Sequence, residues 1–202
     1  MSELFKVDTE QSIAESLGVK HKVFSLVSED HPVLKKVLPE FDFNNPAVDP
    51  NEFASSLVET CKLHRGIGLS ANQCGFEHRV FVMGAAEEYV AFFNPKILSY
   101  SDEQIHGVEG CLSFPFLGLS ITRPLTIEVE YQDFSGNVRQ AKFSGLSARC
   151  FQHELDHMNG IVYTSRVKPL ALQQGMKKRN KLKNMVKKMD KNLKKITNGN
   201  TN

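Results

Sequence analysis

Apolar and polar positions divide the chain into helical and extended stretches. After Asp49, the residues Phe53, Ala54, Leu57, Val58 and Cys61 fall on one stripe of a helix. Asp49 is placed to cap it, Pro50 suits its first turn and Gly66 its stop. Before it, HKVFSLVS (21–28) predicts a strand and EFDFNNPAVDP (40–50) a loop. A glycine-bearing turn spans Gly66 to Gly75, and β-type pattern follows. HRVFVMG, YVAFFNP and KILSY read as three strands. LTIEVEYQD alternates with period two, and DFSGN predicts a hairpin turn into VRQAKFSG. A second helix is predicted from Leu146 to Met158, with Gly160 just past it. A third runs from Pro169 to Lys195, with Leu182, Met185, Val186, Met189, Leu193 and Ile196 on one stripe. Residues 1–20 read as an arm with a short helix from Glu10 to Leu17, closed by Gly18. The expected fold is α+β: mixed or antiparallel β-sheets packed around the second helix, with a helix at the C-terminus. One domain is expected over 21–168, and a basic amphipathic helix with a disordered end over 169–202.

Composition narrows the class. With 41% hydrophobic and 24% charged residues in 202, the chain reads as a soluble globular domain. No apolar run approaches the ~20 residues of a membrane span. The opening MSELFKVDTEQ has no apolar core of a signal peptide. The expectations are a cytoplasmic monomer without membrane contact. Cys61, Cys74, Cys111 and Cys150 lie far apart with no C-x-x-C pair, so no disulfide framework is expected. Charge is uneven: residues 177–195 carry ten Lys or Arg against one Asp, a local +9 in a chain of net +2.

The chemistry concentrates in Gln152-His153-Glu154-Leu155-Asp156-His157 on the second predicted helix. Histidines four apart stand one turn above the other and can reach one cation, and the intervening glutamate can handle the proton of a bound water. A hydrolytic site needs a third ligand. The downstream stretch offers Tyr163 where some metalloproteases carry a third histidine, and neither Glu nor His follows it. Upstream, His106 and Glu109 are candidates, and Cys111 within Glu109-Gly110-Cys111-Leu112-Ser113 is the strongest, since a thiolate is a strong ligand. Cys150, one turn before His153, is its rival.

These residues resemble the signature segments of the peptide deformylase family. Gly66-Ile67-Gly68-Leu69-Ser70-Ala71-Asn72-Gln73 is similar to Gly-x-Gly-Leu-Ala-Ala-x-Gln, with Ser70 replacing an alanine in a small-for-small change. Glu109 to Ser113 and Gln152 to His157 match their patterns completely, and His31-Pro32-Val33-Leu34 resembles an N-terminal family segment. The resemblance implies removal of the formyl group from the N-terminal formyl-methionine of nascent polypeptides, releasing formate. It implies one divalent metal on Cys111, His153 and His157: Fe(II) in the cell, with Zn, Ni or Co able to replace it. Glu154 would carry the proton, while the Leu112 backbone N–H and the Gln73 amide would stabilise the oxyanion. Gly66 and Gly68 would let the peptide approach, although either could simply end a helix. Ile67, Leu146 and Cys150 are candidates for the methionine pocket, with core packing the alternative. Arg149 would contact peptide carbonyls from the rim or lie solvated on the surface.

The basic tail has three readings: packing of its stripe on the domain, docking on ribosomal RNA, or a membrane-surface or partner role. Two other functions compete. A zinc endopeptidase leaves Glu109 to Ser113 without a purpose. A non-enzymatic ribosome-binding protein leaves Gln73, Cys111, His153, Glu154 and His157 without one.

Overall fold

The computed structural model describes residues 21–86 and 88–199. The helix expected at Glu10–Leu17 lies outside the described residues. Three helices, α1 (Pro50–Leu63), α2 (Gly145–Met158) and α3 (Pro169–Gly199), accompany seven strands. These are β1 (Gly68–Ser70), β2 (Val80–Ala85), β3 (Glu88–Tyr100), β4 (Gln104–Glu109), β5 (Leu119–Pro124), β6 (Thr126–Gln132) and β7 (Val138–Ser144). Five form one antiparallel sheet in the order β1-β2-β3-β6-β7, and β4 pairs with β5 as a separate hairpin.

Both faces of β2 are covered, which is why Val80 to Met83 are all apolar. Alternate side chains leave a strand on opposite faces. Val80 and Val82 join Phe53, Leu57 and Cys61 of α1 in one core. Phe81 and Met83 join Phe151, Leu155 and Met158 of α2 in another. The Asp49 side chain accepts from Glu52 N at 2.8 Å and caps α1, with Pro50 in its first turn. The helix closes on Arg65 rather than Gly66. Arg65 takes the left-handed conformation (φ 55°), and Gly66 N donates to Cys61 O at 2.9 Å, one position beyond.

Strand expectations need four corrections. HKVFSLVS is extended but joins no ladder, because Phe24 N donates to Thr60 Oγ1 and Val27 N to Gln73 O, both at 2.9 Å. YVAFFNP and KILSY form one strand: Asn94 absorbs the interruption at φ 49° with a register shift, and its side chain bonds Phe41 N and O. Short β1 lies within the expected turn. The β4–β5 hairpin was not expected, for two reasons. Exposed Ile105 and Val108 and buried Glu109 invert the usual pattern in β4, and the inward series of β5, Leu119, Ile121 and Arg123, ends in a charge.

Only the start of α3 packs on the body among the described side chains. Leu172 and Met176 join Leu117, Leu119, Ile121 and Tyr163. Farther along, Leu182, Met185 and Met189 are 41%, 52% and 58% exposed, so the reading in which the stripe packs on the domain fails for these three. The side chains of Leu193 and Ile196 lie outside the described set. No described helix is long and apolar enough to cross a membrane.

Candidate metal centre

Every residue of α2 from Ala148 to Met158 is buried, so this helix carries its polar groups into the interior. His153 and His157 share one face, their ring centroids 5.2 Å apart. Opposite them lies the turn after β4, which places Cys111 Sγ 3.4 Å from His157 Nε2. One ligand atom from each of Cys111, His153 and His157 lies within 4.8 Å of the others, the spacing of donors around one ion. The rivals are elsewhere. Cys150 Sγ faces Ile67 O at 3.5 Å, and His106 is exposed with Nδ1 3.1 Å from Thr122 Oγ1.

Glu109 anchors the site instead of ligating. Its Oε2 lies 3.0 Å from His153 Nδ1, which leaves Nε2 of that ring for a cation. Arg123 grips Glu109 with two nitrogens, at 2.6 and 2.8 Å, and reaches Asp156 at 2.9 Å; Arg166 holds Asp156 from the other side. Burial alone would raise the Glu109 pKa, but the bonds from Arg123 and His153 prevail and hold it well below the usual carboxylate range. The signal for this network was present in the sequence: an arginine on the inward face of β5, and an aspartate between the two histidines. Tyr163, at the position of a missing third histidine, is buried with its ring 5.4 Å from that of His153.

The donor set suits a cation. Burial opposes a charge on His153, yet Cys111 and Glu109 raise its pKa to about 10. Burial, with the His153 and Arg123 charges, pushes His157 far below the ordinary imidazole value. One sulfur and two imidazoles that face one another within 4.8 Å are the donors that would hold a divalent ion.

Beside this group, Glu154 is buried, and burial raises its pKa. Ser70 Oγ donates to Glu154 Oε2 at 2.7 Å, so the serine in the first motif does more than preserve the turn. Gln73 accepts from Ser70 N through Oε1 (2.9 Å), which turns its Nε2 toward Cys111 Sγ (3.3 Å) and Ser113 Oγ (3.1 Å). A cavity of about 650 Å³ opens over these groups, and Gln73, Cys111, Leu112, His153 and Glu154 line it.

The remaining candidates also line this cavity: Gly66, Ile67, Gly68, Leu146, Arg149 and Cys150. Ile67 and Leu146 are exposed at its edge, and Cys150 is buried in its wall. Arg149 is not solvated. It is 7% exposed, with hydrogen bonds to Glu109 Oε1 (2.7 Å), Ile121 O (2.9 Å) and Ile105 O (2.6 Å), so it braces the wall. Gly68 has a reason that the sequence did not disclose. A Cβ there would meet Cys150 Sγ at 2.8 Å and Glu154 Cδ at 2.9 Å, so the glycine makes room for the buried carboxylate. At Gly66 a Cβ would meet Leu112 Cδ1 at 2.8 Å.

Known proteins resemble this chain in sequence and in fold. The family profile described as Polypeptide deformylase matches residues 23–173. A peptide deformylase of Finegoldia magna is 34% identical over 145 residues, covering 71% of this chain and 88% of its own. One from Wolbachia pipientis wMel is 34% identical over 171 residues, covering 78% and 94%. Among solved structures, a Synechococcus elongatus peptide deformylase in complex with actinonin superposes with a TM-score of 0.72 at 30% identity, covering 78% of this chain and 86% of that one. The Thermotoga maritima peptide deformylase gives 0.67 at 36% identity, with 74% and 100% covered. Fold, site and relatives converge: the chain belongs to the polypeptide deformylase family.

Proposed function

We propose that the chain removes the formyl group from the N-terminal formyl-methionine of nascent polypeptides and releases formate, using one divalent cation on Cys111, His153 and His157. The carrying observation is the convergence of those three donors within 4.8 Å at a cavity wall shared with Glu154. When bound, the cation supplies Lewis acidity, which makes water nucleophilic at neutral pH. A sulfur and two imidazoles suit Fe(II), Zn, Ni or Co, and the family resemblance favours Fe(II) in the cell.

The chain's own residues supply the rest. Ser70 holds Glu154 Oε2, and the other oxygen lies against Gly68, where no side chain intervenes. A carboxylate with a raised pKa is suited to take a proton from the attacking water and return it to the departing amine. The oxygen of the formyl group gains negative charge as water adds. The Gln73 amide, already aimed at Cys111, and the backbone N–H of Leu112 are the candidates to stabilise it. Arg123 and Arg149 keep Glu109 charged, and Glu109 fixes the His153 ring.

Two further parts of the reading concern location and partners. A cytoplasmic monomer working on chains as they leave the ribosome fits the substrate. The exposed basic part of α3 supports attraction to ribosomal RNA. The deciding experiment is formate release from formyl-Met-Ala-Ser by anaerobically prepared protein. Glu154→Ala is expected to keep about one metal per chain and lose on the order of 10²- to 10⁴-fold in kcat. Full activity of that variant, or metal retention undiminished in Cys111→Ala, would defeat the assignment.

A further inference from the structure

Phe116 sits on the edge of the cavity in a conformation that an aromatic residue seldom adopts. Its φ is 67°, inside the left-handed region, and the residue is 51% exposed. Such a conformation is disfavoured for a residue with a Cβ and persists only where the surroundings enforce it. Here the two flanking carbonyls are pinned by buried side chains. Arg179 Nε donates to Pro115 O at 3.0 Å, and Tyr163 Oη donates to Leu117 O at 2.7 Å. Leu117 N closes the turn on Phe114 O at 3.2 Å.

The pinning groups have other attachments. Arg179 is 2% exposed and pairs with Glu29, a few residues after Leu26, which lines the same cavity from another side. One buried guanidinium from α3 therefore ties the segment bearing Leu26 to the turn bearing Phe116. Tyr163 links that turn to the His153 ring, 5.4 Å from its own. Together they fix the position of an aromatic ring that is left half in solvent.

We propose that Phe116 is a specificity-determining residue, a platform for the peptide backbone beyond the formyl-methionine, and that Arg179 is the positioning residue that holds it. This rests on the deformylase reading. Phe116 and Val108 (71% exposed) form an apolar part of the cavity lining beside Cys111 and Leu112, over which an extended peptide can leave the metal centre. A ring on a backbone held in place before binding adds contact at a reduced ordering cost, and because it meets backbone it discriminates by peptide length rather than by sequence.

The test compares formyl-Met-Ala-Ser with formyl-methionine amide, which ends before the platform. Phe116→Gly removes the ring and suits the left-handed backbone, so folding is retained. Its KM for the tripeptide is expected to rise about threefold to tenfold with kcat little changed, while the amide's KM stays within about twofold. Arg179→Met should show the same length-dependent rise with the metal content of the wild type, and Arg179→Lys should restore part of it. Equal KM changes for the two substrates, or none in Phe116→Gly, would overturn the platform while leaving deformylation intact. A wild-type chain inactive on both substrates would overturn both readings.

Discussion

Helices α2 and α3 both carry many charges, and they handle them in opposite ways. In α2, Arg149, His153, Glu154, Asp156 and His157 are all buried, and each acid or base is partnered or faces the cavity. In α3, Arg179 is the buried charge among the described side chains, and the lysines from Lys181 to Lys191 are held outward or half-outward. A buried charge is costly unless it is hydrogen-bonded, so α2 constrains its neighbours at a distance: Glu109 and Arg123 answer its buried charges, and Ser70 donates to Glu154. A solvated charge dictates nothing nearby and acts through the summed field of the segment.

The comparison breaks most visibly at Arg123. Arg123→Met leaves Glu109 without its two-pronged partner and Asp156 with Arg166 alone. The expected loss is about 3–5 kcal/mol of stability, read by urea unfolding, together with faster metal loss to a chelator. A loss under about 1 kcal/mol would show that the buried network matters no more than a surface pair. Acid sharpens the test. Glu109 has a depressed pKa in the folded state, so its contribution is complete above the ordinary carboxylate range near ~4.3 and drains away as pH falls below it. The wild type should therefore lose more stability than Arg123→Met between neutral and acid pH. Parallel curves would assign acid sensitivity to other groups.

How much of this could be read from the chain follows the same division. The candidate ligands His153 and His157, with Glu154 between them, were legible because helical spacing is a local property: two histidines four apart lie one turn apart whatever surrounds them. Cys111 was legible as the strongest third candidate from its glycine-flanked turn, with Cys150 as its rival, before the resemblance was drawn. Position in space separated them, with Cys150 Sγ turned to Ile67 O. The buried pairing of Arg149 with Glu109 was not legible for one reason: the two residues lie 40 positions apart in sequence. The β4–β5 hairpin was hidden by the same network, because Arg123 breaks the apolar alternation that marks a strand. In contrast, β6, the turn at Gly136 and β7 followed their local pattern closely.

Smaller substitutions probe the carboxylate itself. Gly68→Ala places a methyl group against Glu154 Cδ and Cys150 Sγ, where backbone and buried helix give little room. A displacement of that kind is expected to lower kcat/KM by about 10²-fold with the metal retained. Ser70→Ala removes one hydrogen bond to Glu154 Oε2 and no volume that matters to packing, so about a tenfold fall in kcat is expected. If both variants match the wild type in a formate-release assay, the rotamer of Glu154 is set by something other than β1.

The smallest effect on stability, and the largest on partners, belongs to the outer part of α3. Lys187, Lys188 and Lys191 are exposed, so replacing them by glutamine should leave the unfolding free energy within about 0.5 kcal/mol. Pelleting with ribosomes should fall and lose much of its dependence on salt, because each removed cation removes one phosphate contact at most. The truncation used alongside matters. Ending the chain at Lys168 would also strip Leu172, Met176 and Arg179, which belong to the body, whereas ending it after Asn180 removes only the outward part. If the shorter chain ending at Lys168 loses tripeptide deformylation while the one ending at Asn180 loses only pelleting, the boundary between structure and charge lies one residue past Arg179. Equal pelleting by the full chain and the Asn180 truncation would mean that the lysines serve solubility alone.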